Sequence, residues 1–297
     1  MNEQAIGCWK KWMMAARPKT LPAAAAPVVL GTSLAYWDRV FQAGPALAAL
    51  LGAFWLQIGS NLANDVFDFQ RGADQEERLG PTRVTQTGLL SPRQVLLGMW
   101  VSFGAAALCG LYLTWAAGWP VIVIGLTSIA AALAYSGGPF PFGYHGLGDV
   151  FVILFFGVAA VGGTYFVQAD KITLNGIAMG FVMGLLIDNI LVVNNLRDIP
   201  LDSKAGKNTL AVLIGAKATR LQYLANLLAA FLAPVFLWGM GKLPLGVMLI
   251  AGTLPWGVML IGQIWHLKGR ELNKTLAATG QFALGYALLF ALGGTLI

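Results

Sequence analysis

Nine stretches of apolar residues, each close to the length a helix needs to cross a bilayer, fill most of this 297-residue chain. A spanning helix needs about 20 predominantly apolar residues. Within lipid every backbone N–H and C=O must be bonded inside the protein, so only helices and closed barrels cross. A barrel would show short segments of alternating hydropathy, and these runs are continuous. They lie at about 21–37, 46–64, 95–116, 120–136, 148–167, 172–193, 221–240, 244–265 and 276–296. Only 11% of residues are charged, and the mean hydropathy is +0.70. Soluble domains carry about 25% charged residues. The expected fold is an all-α membrane protein, a nine-transmembrane-helix bundle.

The charges set its orientation. Alternating spans divide the connections into two sets, and one set holds every Lys and Arg except Arg39, Lys171 and Lys242. Basic residues favour the cytoplasmic side, so the N-terminus is expected inside and the C-terminus outside. The net charge of +6 then reflects topology, not nucleic-acid binding. Met1 to Thr20 reads as a basic lead into a full span rather than a cleavable signal peptide. Cys8 and Cys109 lie far apart, with no sign of a disulfide framework. No glycine-rich nucleotide motif occurs in a strand–helix setting. The many glycines inside apolar runs are suited to close helix packing.

The expensive residues stand at two places. Asn61, Asn64, Asp65 and Asp68 recur at three- and four-residue spacing where the second span ends. On a continuing helix they share a face. The sixth span ends in Asn194, Asn195, Arg197, Asp198 and Asp202, with Lys204 and Lys207 behind them. Both clusters fall on the expected cytoplasmic side. Hard oxygen ligands mixed with cations suit Mg²⁺ bound by one or two carboxylates and by substrate phosphates, with Lys and Arg on the remaining charge. The candidate cations are Arg71, Arg78, Arg83, Arg197, Lys204 and Lys207. Helix-end charges paired at the water interface are the plainer alternative for either motif taken alone. The matching positions suggest parallel halves, 20–136 and 148–265, followed by a ninth helix at 276–296, all within a single domain, 1–297.

The longest connections, Arg71 to Arg93 and Arg197 to Arg220, carry the polar motifs, as functional loops often do. The loop Ser136 to Asp149 has no Lys or Arg and is rich in Gly, Pro and aromatics. Tyr135, Phe140, Phe142 and Tyr144 either line a cation-sheltering site or anchor at the interface. His145 is a general base or a loop hydrogen-bonder, and His266 an interfacial residue. Asp149 either caps the next helix or serves the site. Asp188 lies deep in a span, where a carboxylate is a functional candidate. Arg17 and Lys19 anchor the first span or meet an acidic substrate.

The Asn64-Asp65-x-x-Asp68 element, Gly80-Pro-Thr-Arg83, the Tyr135 to Asp149 loop and Asn195-Leu-Arg-Asp198-x-x-x-Asp202 together resemble the UbiA superfamily of intramembrane prenyltransferases. The likeness runs from Arg17-Pro-Lys-Thr20 to the ninth span. Gly148-Asp149, Asn195-Leu-Arg-Asp198 and Gly206-Lys-Asn-Thr209 resemble the branch that acts on 1,4-dihydroxy-2-naphthoate. The superfamily's usual third acid of motif one would fall at Gly72; Asp74 stands two residues later.

The resemblance implies transfer of a polyprenyl chain from polyprenyl diphosphate to 1,4-dihydroxy-2-naphthoate, with loss of CO₂ and diphosphate, giving demethylmenaquinone. It implies Mg²⁺ held by Asn64, Asp65, Asp68, Asp74, Asp198 and Asp202. The aromatic acceptor or the allylic cation would meet residues among Arg17, Asn61, Tyr135, Tyr144, Asp149, Asp188, Asn194 and Asn195. The location implied is the cytoplasmic (inner) membrane, with the bilayer as partner. Two rivals stand beside this reading. One is another acceptor, such as 4-hydroxybenzoate, homogentisate or a tetrapyrrole; the other is a secondary transporter of anions, although those tend to place charge near the midplane in inverted halves.

Overall fold

Among the described residues, nine apolar segments follow one another in the order expected from hydropathy. A computed structural model of the chain describes residues 7–72 and 78–295. Helix α1 (Cys8–Ala16) precedes α2 (Leu21–Trp37), α3 (Ala43–Gln70), α4 (Pro92–Ala117) and α5 (Pro120–Ser136). The fifth segment begins as α6 (Gly148–Val152), widens into a π-helix at Ile153–Ala159, and ends as α7 (Ala160–Ala169). Then come α8 (Leu174–Lys204) and α9 (Leu210–Gly239). A 3₁₀ stretch (Leu245–Thr253) leads into α10 (Leu254–His266), and α11 (Leu272–Gly293) closes the bundle. Among the described residues, seven of the segments are long and apolar enough to span a bilayer, and α5 is a shorter apolar helix.

Local chemistry sets the helix starts. Ser91 and Gln94 form a reciprocal capping box ahead of Pro92, which satisfies otherwise orphaned N–H groups. Thr173 accepts from Gly176 N at the start of α8, and Thr209 from Val212 N at the start of α9. The largest core cluster joins α2, α8, α9 and α11, for example through Leu30, Met183, Tyr223 and Phe282. A second gathers Ala15, Leu62, Val66, Val95 and Met99 from α1, α3 and α4. Gly157 shows why small residues sit in the spans. A Cβ there would lie 2.4 Å from Gly180 O and 2.5 Å from Gly184 Cα, so the π-segment and α8 meet backbone to backbone.

Two expectations are corrected. The connection drawn from Arg197 to Arg220 is mostly helix. Helix α8 runs through Pro200 to Lys204, α9 starts at Leu210, and a kink at Gly215 (φ 78) lies inside it. The second span also extends beyond 46–64, from Ala43 to Gln70. Both acidic motifs are therefore on helix rather than in loops. Helices α3 and α8 end on the same side of the bundle, beside the 78–91, 137–147 and 205–209 segments.

Candidate active site

A cavity of about 500 Å³ opens at that end, lined by both motifs. Asn61, Asn64 and Asp68 face it from α3, and Asn194, Asn195, Asp198 and Asp202 from α8. The three- and four-residue spacing holds in part: Asn61, Asn64 and Asp68 share the cavity side of α3, whereas Asp65 does not. Residues 205–209 then turn back over them. Lys207 places Nζ 3.3 Å from Asp68 Oδ2 and 4.5 Å from the Tyr144 ring centre.

Asp68 is the hub of the first motif. It is 3% exposed and accepts from Arg83 Nη2 at 2.5 Å and from Tyr144 OH at 2.7 Å. Burial, and then the Asp68 carboxylate, push the Tyr144 phenol above its ordinary pKa. Arg83 also donates to the Asn64 carbonyl, and Asn64 Oδ1 accepts from Ser136 Oγ at 2.7 Å. A carboxylate held by several donors keeps its charge in a buried place.

Asp65 stands elsewhere. It is 1% exposed and does not line the cavity. Its oxygens accept from Val84 N at 3.2 Å and Thr85 N at 3.0 Å, which fastens the segment after the Gly80-Pro-Thr-Arg83 element to α3. Arg17 Nη2 lies 3.8 Å from Asp65 Oδ2. Arg17 takes a left-handed backbone (φ 52) where α1 ends and lines the cavity. Its Nε and Nη2 are shielded from water and have no hydrogen-bond partner. Burial, and then the neighbouring Arg83, lower its pKa to about 10. Asn61 secures this corner by donating to Ala16 O and Thr20 Oγ1, both at 3.0 Å.

In the second motif Arg197 is a brace rather than a free cation. It is 2% exposed and donates twice to Asp198, at 2.8 and 2.5 Å, and also to Asn194 Oδ1 and Asn273 Oδ1. A forked pair of this kind fixes geometry as well as charge. Asn273 in turn donates to Leu79 O at 2.8 Å. A Cβ on Gly80 would lie 2.8 Å from Arg197 Nη2, so glycine there lets the loop close on the guanidinium.

Other expected residues are distributed as follows. Arg78, Arg83, Lys207, Tyr135 and Tyr144 line the cavity; Arg71, Arg197 and Lys204 do not. Arg71 donates to the carbonyls of Ser136 and Gly138, and Lys204 is exposed. Asp149 and Asp188 are buried off the cavity, joined by Gln222 Nε2, which donates to Asp149 at 2.7 Å and Asp188 at 3.2 Å. Leu147, not Asp149, occupies the cap position of α6. His145 Nδ1 lies 2.8 Å from Pro141 O, and its ring stacks on Phe140, the loop-bonding alternative. Phe140 and Phe142 lie outside the lining, whereas Phe151, Phe155 and Phe156 line it. The sequence reading missed these three; Phe151 and Phe155, four apart on one segment, were the available signal. Asp74 lies outside the described residues. Among those described, no group of three or more His, Cys, Asp or Glu forms a ready-made ion cage.

A doubly acidic, cation-rimmed mouth on an apolar cavity inside a helical membrane bundle defines an intramembrane enzyme for an amphiphile with an anionic head. The chain belongs to the UbiA prenyltransferase family, whose profile matches residues 24–285. It is 40% identical over 297 residues to 1,4-dihydroxy-2-naphthoate octaprenyltransferase of Mycobacterium tuberculosis, covering 96% of this chain and 97% of that one. It is 39% identical over 249 residues to the enzyme of the same name from Escherichia coli, covering 82% and 80%. Its fold matches that of a UbiA homolog from Archaeoglobus fulgidus bound to DMAPP and Mg²⁺, with a TM-score of 0.68 at 13% identity, covering 94% and 99%.

Proposed function

We propose that this protein transfers a polyprenyl chain from its diphosphate to 1,4-dihydroxy-2-naphthoate, releasing diphosphate and CO₂ and forming demethylmenaquinone. The observation that carries the reading is the convergence of Asp68, Asp198 and Asp202 on one cavity rimmed by Arg78, Arg83 and Lys207.

Asn64, Asp68, Asp198 and Asp202 are the oxygen donors that would hold Mg²⁺. The donor set fits a metal completed by substrate phosphate rather than an all-protein cage. When bound, the metal would neutralise charge growing on the departing diphosphate. Arg78, Arg83 and Lys207 share that task from fixed positions, and preorganised charge of this kind is a large catalytic term. Asp65 and Arg197 support the site from behind. The aromatic faces of Tyr144, Phe151 and Phe155 shelter an allylic cation from water. Arg17, with two unpartnered donors, receives the acceptor's carboxylate. As the ring carbon bonds to the prenyl carbon, the carboxylate's C–C bond supplies electrons to the ring and leaves as CO₂, so no base need take a ring proton. The membrane is the cytoplasmic one, with the mouth opening to the cytoplasm, in keeping with its basic connections.

Purified protein with Mg²⁺, the naphthoate and octaprenyl diphosphate is expected to yield prenylated naphthoquinol and labelled CO₂ from carboxyl-labelled acceptor. Folded protein that gives neither product, or that prenylates 4-hydroxybenzoate in preference, overturns the assignment.

A further inference from the structure

Two carboxyls lie side by side in the apolar interior, and the donors that reach them are neutral amides. Asp149 stands in the first turn of α6 and Asp188 midway along α8; they are 6% and 1% exposed. Gln222 Nε2, on α9, donates to both, so one nitrogen holds the pair together. Asn226 Nδ2 donates to Asp188 Oδ2 at 2.9 Å and to Asn189 Oδ1 at 3.1 Å, and Asn189 Nδ2 to the Tyr223 carbonyl at 3.2 Å.

Each carboxyl keeps one oxygen that is shielded from water and has no donor: Oδ2 of Asp149 and Oδ1 of Asp188. The two side chains are within hydrogen-bonding reach of one another. An ionised carboxylate only accepts, whereas a protonated one gains an O–H donor. Were both ionised, both oxygens would stay orphaned and two like charges would lie unpaired inside the membrane, at high cost. One proton between them makes one acid the donor and the other its acceptor, as in other carboxyl pairs that share a site. A single negative charge is left.

The pair lies directly behind the cavity wall. Ile187 and Leu191, on either side of Asp188 in α8, line the cavity, as do Tyr135 and Phe151. A Cβ on Gly148 would lie 3.3 Å from Leu191 Cδ2 and 3.4 Å from Tyr135 OH, so the Tyr135 phenol reaches the residue next to Asp149.

Resting on the transferase reading above, we propose that Asp149 and Asp188 are positioning residues that share one proton and hold one buried negative charge behind Tyr135. Asp68, Asp198 and Asp202 fix the head group at the mouth. The acid pair is a second pole, and its charge favours the allylic carbon as that carbon becomes positive. Fixed charge acts strongly where water is excluded. The pair touches no substrate and passes on no proton.

Asparagine offers an N–H where the protonated acid offers an O–H. Asp149→Asn and Asp188→Asn therefore each retain one negative charge, whereas the double variant has none. On the full-length enzyme with Mg²⁺ and octaprenyl diphosphate, each single variant is expected to keep kcat within about threefold of the parent's and the double variant to lose about tenfold or more. Donor KM and Tm should stay close to the parent's in all three. The parent-minus-variant infrared spectrum should show the carbonyl stretch of a buried protonated carboxyl for either single variant. Its absence, or single variants as slow as the double, overturns the shared proton. A double variant as fast as the parent, or a loss of kcat that follows Tm through the series, overturns the charge and leaves the pair as glue between helices. If the double variant fails to fold, Asp149→Ser with Asp188→Asn makes the same test. Absence of naphthoate prenylation in folded parent protein would sink the proposed reaction, while the infrared spectra, which need no turnover, still uphold or overturn the shared proton.

Discussion

Lys207 Nζ sits 3.3 Å from Asp68 Oδ2, although the two residues are 139 apart in sequence. This contact ties the turn after α8 to the end of α3 and so brings the second acidic motif over the first. Lys207 is also stacked on Tyr144, which orients its ammonium. Replacing it with Met keeps the stem and removes the charge. A charge-assisted hydrogen bond contributes about 1.5–3 kcal/mol, so KM for prenyl diphosphate is expected to rise roughly ten- to hundredfold. KM for the naphthoate should move far less. Steady-state kinetics with each substrate varied in turn decides it, and equal rises in both would argue against a diphosphate clamp.

Asp65 and Asp68 are one turn apart in the chain and differ in surroundings: Asp68 lines the cavity and Asp65 does not. Asp68→Asn is expected to lower kcat by about a hundredfold or more, on the scale of losing an electrostatic catalytic group, with a small change in Tm. Asp65→Ala leaves two backbone donors without their acceptor, a cost of about 1–3 kcal/mol. It should lower Tm and speed proteolysis between residues 78 and 91. An Asp65→Asn variant as inactive as Asp68→Asn, with unchanged Tm, would place Asp65 among the metal ligands after all.

Arg17 carries the prediction about acceptor choice. Arg17→Gln should raise KM for carboxylated acceptors about tenfold and change the donor's KM little. Its pKa is lowered to about 10 by burial and then by Arg83. A guanidinium keeps its proton throughout the working range, so acceptor affinity measured by competition should stay level from neutral pH to about 9, and Arg17→Gln should lower it by a similar factor at every pH.

Gly157 and Gly125 should part company under the same substitution. At Gly157 the added atoms meet the α8 backbone, which cannot move aside, and overpacking of this kind costs about 1–3 kcal/mol or more. Gly157→Leu is expected to yield little folded protein by size-exclusion chromatography in detergent. A Cβ on Gly125 meets no heavy atom within 4 Å, so Gly125→Leu should elute as the parent does.

Much of this was legible in the sequence, for identifiable reasons. Membrane spans are long and must be apolar, so nine segments could be counted from hydropathy alone. Asp68, Asp198 and Asp202 announced themselves because carboxylates near a span's end are costly and periodic. What sequence could not supply was the direction of each side chain once neighbours compete for it. Asp65 shares a helical face with Asp68, yet two backbone N–H groups of the 84–85 segment draw it away from the cavity. Arg197 had the composition of a phosphate ligand, but its partner Asn273, itself bonded to Leu79 O, belongs to a segment with no motif of its own. Phe151 and Phe155 sat unnoticed in an apolar run, since a hydrophobic residue lining a cavity looks like one facing lipid. The pairing of Asp149 with Asp188 through Gln222 joins three helices, which no local pattern reveals.

The cavity is charged at one end and mostly apolar along α5. A donor is thus tethered by its diphosphate alone, while its tail touches walls no greasier than the acyl chains outside, and lipid offers an isoprenoid much the same company. When the ester bond breaks, the tether and the tail part. The quinol then has little reason to stay, and the enzyme needs no separate device to expel it into the bilayer.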